Sequence, residues 1–217
     1  MISLRPLAYA DLAVKTEHDP GVRLKADGSV DADWFCLAIG ARVQQFIYIL
    51  DLYRAQITFP EQVRAIIREY HRWKIWKIGI ESNNYQWALG QQIWEAGLPA
   101  VPVPSSSDKV YRATMVTPHV ETGRVRFRGV MENGVLVSHP ALRRFFVEAA
   151  DFPFGDRDDA VDAVVGLIQM ATSEEIMGQE LALVHKPGYG LVTTSGSYAG
   201  GIRQHKRDPF DVMVSNY

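Results

Sequence analysis

The chain has 217 residues, 47% of them hydrophobic and 22% charged, with a formal net charge of -2 at pH 7. That length suits one large domain or two small ones, with enough apolar residues for a sizeable core. The near-neutral charge excludes a global pull toward nucleic acid, so such a partner has to be argued from local patches. With Cys36 the only cysteine, an intramolecular disulfide and a cysteine-based zinc site are excluded as well.

The opening MISLRPLAYADLAV lacks the basic start and long apolar run of a signal peptide, and no apolar run reaches membrane-spanning length. The expectation is a soluble intracellular protein with no membrane partner. In chain order, PLAYADLAV (6–14) reads as a first strand around Asp11, followed by a polar loop with turn chemistry at Asp19-Pro20-Gly21 and Asp27-Gly28. WFCLAIGA (34–41) and QFIYILDLYR (45–54) are aromatic and β-branched and predict a hairpin, although Arg42-Val43-Gln44 lacks an Asn-Gly turn. Cys36 is expected to be a buried thiol, and Asp51 a turn residue. FPEQVRAIIREYHRW (59–73) places Val63, Ile66, Ile67 and Tyr70 at helical spacing, with Pro60 suited to the first turn. WKIGIES (76–82) predicts a strand ending on Glu81, NYQWALGQQIWEAG (84–97) a helix stopped at Gly97, and PAVPVP (99–104) a short extended run.

Beyond these, SDKVYRATMVTPHVETG (107–123) reads as a helix broken at Pro118, and RVRFRG (124–129) as an exposed strand. MENGVLV (131–137) carries an Asn-Gly turn, and helices are predicted over 139–150 and 158–173. The tryptophans, Trp73, Trp76, Trp87 and Trp94 among them, are assigned to the core. The glycine-rich stretch from Lys186 has no helical period, so the expected organisation is a domain over 1–185 and a flexible tail over 186–217. The element order is that of an α/β domain with antiparallel and parallel pairings.

An acid inside an apolar strand is costly unless it is paired or binds a cation. Asp11 lies within or at the end of the first strand, and Glu81 closes a later one. If these strands are parallel neighbours, both acids lie at the carboxyl edge of the sheet, where open α/β sheets place their sites. FGDRDDAVDAVVGLIQM (154–170) adds Asp156, Asp158, Asp159 and Asp162 at a helix start. Such a set, without His or Cys, is oxygen-only and selects Mg²⁺ or Mn²⁺ over Zn²⁺. Each acid also has an ordinary alternative. Asp158 or Asp159 can cap the helix and complement its dipole, worth ~0.3–1 kcal/mol each, and Glu81 can accept hydrogen bonds from the following turn. At ~100° per residue, Asp158 and Asp162 flank the apolar face of Val161, Val164, Val165 and Ile168, whereas Asp159 points further away.

Taken in order, Asp11 in AYADLAV, then DADWFCLAIGA, FIYILDLYR, IGIESNNYQWAL, SDKVYRATMVTPHVETGRVRF and DRDDAVDAVVGLI resemble the ribonuclease H-like nucleases. Within them the chain resembles the C-terminal nuclease domain of the large terminase subunit of tailed bacteriophages, over roughly residues 6 to 172. The resemblance implies an α/β fold with a ribonuclease H-like mixed central sheet flanked by helices and an extra β-hairpin. It implies a metal-dependent endonuclease that cuts double-stranded DNA, a concatemeric viral genome, during packaging. Hydrolysis would use two Mg²⁺ or Mn²⁺ ions and no side-chain nucleophile. Carried over, the catalytic and metal-binding acids are Asp11, Glu81 and Asp159, with Asp158 beside them. Asp162 matches an acid of the related junction resolvases, and Asp33 resembles an accessory acid. The implied partners are the portal protein and the small terminase subunit, and the implied setting is the cytoplasm of an infected bacterium. No GxxxxGK[ST] occurs, so the ATPase motor is expected to lie outside this chain. The first strand also departs from the family in lacking a small-residue turn after its Asp.

Lys15 and Lys109 are the nearest basic candidates for touching phosphate. Arg124, Arg126 and Arg128 alternate, so on a strand they share one side and suit phosphate contacts. Arg64, Arg68, Arg72 and Lys74 read first as a solvent face. Arg203, His205, Lys206 and Arg207 in the tail are candidates for DNA or portal contact. Two alternatives remain beside the terminase reading: a Holliday-junction resolvase, and a non-catalytic docking domain of a packaging motor.

Overall fold

In a computed structural model the described residues are 5–13, 33–81, 86–103 and 108–173, with only the backbone described for 86–89. The chain divides into two units, Met1–Glu180 and Leu181–Tyr217, and every described residue belongs to the first. Lys15, the turns at 19–21 and 27–28, and the tail with its basic cluster lie outside the described residues.

Strands β1 (Pro6–Asp11), β2 (Phe35–Val43) and β3 (Phe46–Ala55) form an antiparallel meander. Helix α1 (Phe59–Trp73) crosses to β4 (Lys77–Glu81), which pairs parallel with β1. Helix α2 (Gln86–Glu95) then leads to β5 (Ala100–Val103), parallel to β4, and α3 (Lys109–Glu121) leads to β6 (Val125–Phe127), parallel to β3. The strand order is β5-β4-β1-β2-β3-β6, and β2 alone runs against the others. A separate hairpin of β7 (Gly129–Glu132) and β8 (Val135–Ser138) follows, then a 3-10 turn (Pro140–Leu142), α4 (Arg143–Asp151) and α5 (Asp159–Thr172). This is the mixed sheet flanked by helices, with an extra hairpin, that the sequence implies.

Strand alternation divides the core in two. Leu7, Tyr9, Cys36 and Ala38 pack with Val116 of α3 and the apolar side of α5. Ala8, Ala10, Leu37, Ile39, Ile78 and Ile80 pack with Ala65 and Ile66 of α1 on the opposite face. Cys36 is fully buried, as expected. The β2–β3 turn is tight despite its chemistry, because Gln44 takes a left-handed φ of 54°. In the second hairpin Asn133 and Gly134 have φ of 53° and 79°, the geometry an Asn-Gly turn provides at low cost.

Several expectations need correction. Helix α3 is not broken at Pro118; the proline sits in its last turn, where it forfeits a single helical donor, and Thr122 N–H still reaches Pro118 O at 3.1 Å. The helix expected over 139–150 is a 3-10 turn followed by α4. Asp51 is not in a turn but buried inside β3, where Ile39 faces Asp51 and Gly40 faces Ile49, so Leu50 bulges out of register. Trp94 is 65% exposed and does not belong to the core. Nor is RVRFRG an isolated exposed strand: β6 is an edge strand of the main sheet, with Val125 buried and Arg126 stacked 3.9 Å from the centre of the Phe46 ring.

Candidate metal centre

The β1 alternation that buries Leu7 and Tyr9 against α5 carries Asp11 to the same face at the strand's end. On β4, Ile78 and Ile80 face α1, so Lys77, Gly79 and Glu81 face α5. A Cβ added to Gly79 would come within 2.9 Å of the Tyr9 ring and 2.8 Å of Met170 Sδ, which fixes that orientation. Ala10 pairs with Ile80 in the parallel register, so Asp11 and Glu81 are level on neighbouring strands, roughly 4.8 Å apart across the sheet.

Helix α5 is laid across this face in one register. Gly166 rests on Tyr9 so closely that a Cβ there would be 2.3 Å from Tyr9 Cε1. At the far end, Arg42 Nη1 donates to Ala171 O at 2.9 Å, next to the start of β1. The helix therefore runs opposite to β1, with its N-terminus at the Asp11 edge. From Gly166 back to Asp162 is one helical turn, about 6 Å. From Tyr9 to Asp11 is two strand residues, about 6.6 Å. These matching lengths set Asp162 over Asp11, with Asp159 and Asp158 one turn further out.

The acids perturb one another accordingly. Burial raises the Asp11 pKa well above the ordinary carboxylate range, and the charges of Asp162, Asp159 and Glu81 raise it further, against a lowering by Arg112. Burial pushes Asp162 up to about 6, held back by Arg112 and Lys109 and raised by Asp158 and Glu81. Asp159 is raised by burial and by Glu148, with Arg54 and Arg157 opposing. Protein cations face the α5 acids. Arg112 Nη2 donates to Asp162 Oδ1 at 3.0 Å, and Lys109 Nζ donates to Asp158 and stands 3.9 Å from Asp162. Arg54 lies 3.8 Å from Asp159 and 3.2 Å from Glu148.

Among the described residues no three acids close on a common point as they stand, and no hydrogen bond or ion pair between them ends on the Asp11 carboxylate. The residues nonetheless fit a hard divalent cation. Their donors are carboxylate oxygens, and a cation among them would relieve the repulsion that raises Asp11. Asp33 leads into β2 three residues before Cys36, the partner of Asp11, and so precedes the same edge. Arg124, Arg126 and Arg128 are not brought to the acids. Strand β6 is level with the first residues of β1 and three strands away, roughly 20 Å from Asp11 by strand spacing and rise.

The family model for the terminase RNase H-like domain matches residues 19–171. The chain belongs to this terminase family. The matched span starts after β1, so Asp11 joins the site through the pairing of β1 with β2 and β4. Among solved structures, the terminase fold is shared with the large terminase nuclease of thermophilic phage G20c, solved with bound zinc. The TM-score is 0.54 at 14% identity, over 76% of this chain and 81% of that one. The same phage nuclease with bound magnesium gives a TM-score of 0.49 at 14% identity, over 76% of this chain and 81% of that one. The human cytomegalovirus terminase nuclease domain, Mn soaked and inhibitor bound, gives 0.48 at 13% identity, over 80% and 85%. No curated protein matches the chain in sequence.

Three residues of this terminase domain escaped the sequence reading. Glu148 is 3% exposed; it accepts from Ala160 N–H at 2.8 Å and so holds the first turn of α5. Arg54 pairs with it and stacks 3.6 Å from the Trp34 ring centre. Arg112 is the third. A signal was present for two of them. Glu148 sits in the stripe Phe145, Glu148, Ala149, Phe152, and Arg112 precedes the buried Val116 by one turn, so each is a charge on an apolar helical face.

Proposed function

We propose that this domain is a metal-dependent endodeoxyribonuclease that cuts duplex DNA during viral genome packaging. The observation that carries the reading is the level placement of Asp11 and Glu81 on parallel strands beneath the first turn of α5, with Asp11 half-buried among like charges. Terminase family membership supports the substrate class. Asp11 and Glu81 would hold Mg²⁺ or Mn²⁺ together with the α5 acids. Asp159 is the ligand the resemblance favours and Asp162 the one most strongly coupled to Asp11, while Asp158 and Asp33 stand further out. Two such ions, when bound, supply Lewis-acid activation of water and charge neutralisation at the leaving 3′ oxygen.

The chain's own residues do the rest. The pairing of β1 with β2 and β4 holds the Asp11 carboxylate at the sheet edge, and Arg112 orients Asp162 through its 3.0 Å hydrogen bond. Lys109 places a cation beside the acids, where a DNA phosphate would approach, and the distant arginines 124, 126 and 128 would extend the contact along the backbone. The portal protein and the small terminase subunit are the proposed partners, a motor ATPase the proposed companion domain, and the bacterial cytoplasm the proposed setting.

The test is plasmid cleavage by the purified protein. Cutting is expected with Mn²⁺, none with EDTA, and a loss of at least a hundredfold for Asp11→Asn. Equal cutting by wild type and variant would overturn the assignment.

A further inference from the structure

Two basic side chains of α3 face the α5 acids, and they differ in burial. The Arg112 side chain is 11% exposed, holds Asp162 Oδ1 at 3.0 Å, and has its Nε buried without a protein partner. The Lys109 side chain, one turn earlier, is 46% exposed; it hydrogen-bonds Asp158 and stands 3.9 Å from Asp162. The spacing of three residues sets both on one side of α3. Removing Arg112 from Asp162 would strand a nearly buried guanidinium. Lys109 is in a different position, since its ammonium can return to water from a half-exposed ion pair at little cost.

We propose that the two cations divide the work: Arg112 is a permanent positioning residue for Asp162, whereas Lys109 is an exchangeable counter-ion. A divalent cation entering the acids displaces Lys109 from Asp158 and Asp162, and the freed ammonium becomes available to a DNA phosphate. The inference rests on the metal-dependent reading above. Its physical basis is competition in one electrostatic field. A dication outcompetes a monocation for the same carboxylates and also repels it. In the metal-free domain Lys109 and Arg112 offset the repulsion that would otherwise splay the start of α5.

The experiment follows Lys109 itself. Wild-type protein without DNA is treated with an amine-acylating reagent, with and without saturating Mn²⁺, and Lys109 modification is read by mass spectrometry. Acylation several-fold faster with Mn²⁺ is expected; an unchanged rate overturns the inference. A parallel Mn²⁺ titration followed by melting temperature compares variants. Lys109→Met is expected to reach half-saturation at several-fold lower Mn²⁺ than wild type. Arg112→Met is expected to need several-fold more, with Arg112→Lys recovering part of the loss. A Lys109→Met midpoint equal to or above wild type also overturns it. Should the wild type show no Mn²⁺ response at all, the metal-dependent reading falls too; a normal response with an indifferent Lys109 removes only this inference.

Discussion

Glu148 shows how one side chain supports the site without touching it. Its carboxylate accepts from Ala160 N–H, from Arg144 Nε at 3.0 Å, and faces Arg54 at 3.2 Å. It thereby ties the first turn of α5 to β3 and α4. Truncation would leave Arg54 buried against Trp34 without its nearest anion and Ala160 N–H without an acceptor. Glu148→Ala is therefore expected to destabilise the domain by about 3–5 kcal/mol, the cost of breaking a buried pair from one side. Glu148→Gln keeps an acceptor for Ala160 and should lose less. Urea denaturation of both variants checks the order.

At the scale of elements, the decisive contact is α5 on β1. Gly166 is the only residue type that lets the helix axis come this close to the Tyr9 ring, since an added Cβ would lie 2.3–2.6 Å from three ring carbons. Gly166→Ala is expected to cost about 1–3 kcal/mol by overpacking, despite the better helix propensity of alanine. It should also lift the α5 acids from Asp11 and reduce Mn²⁺-dependent cleavage. Combining it with Tyr9→Leu removes the obstructing ring, so a double-mutant cycle should show coupling, whereas simple additivity would mean that the contact does not set the helix position. The same contact explains the ambiguity over the α5 acids. The sequence orders them around a helix, but only the seating of Gly166 on Tyr9 determines that Asp162 lies nearest Asp11.

For the whole molecule, a near-neutral chain brings Asp11, Glu81 and the acids of the first turn of α5 to one sheet edge, and this gives stability a pH signature. The Asp162 pKa rises from 3.8 to about 6 on folding, and Asp11 and Asp159 also rise. Between those values the native state binds more protons than the unfolded chain, so this contribution is fully present below pH 4 and is lost as pH climbs through 6. For Asp162 alone the difference is about 3 kcal/mol at 1.36 kcal/mol per pKa unit. Urea melts of the metal-free protein should therefore weaken from pH 4 to pH 7 relative to those of Asp162→Asn. Saturating Mn²⁺ should abolish the wild-type loss, because a cation takes over the charge the protons neutralised. A parallel pH dependence in wild type and variant would contradict the assignment of that shift to Asp162.

The elements were legible in the sequence alone, which also pointed to a kind of chemistry; what the sequence lacked was long-range placement. Short apolar runs marked β1 and β4, helical spacing marked α1 and α5, and acids closing apolar strands marked Asp11 and Glu81, all because these signals are local. It could not find the register of α5 on β1, the bulge that buries Asp51, or the Arg54–Glu148 and Arg112–Asp162 pairs. Those depend on residues far apart in the chain meeting across a sheet, as Arg112 and Asp162 do at a separation of 50. Arginines 124, 126 and 128 make the same point in reverse. Their alternation was legible, but only the pairing of β6 with the start of β3 decided that they lie at the far end of the sheet from the acids. Local pattern fixes which face a side chain takes; tertiary packing decides what that face meets.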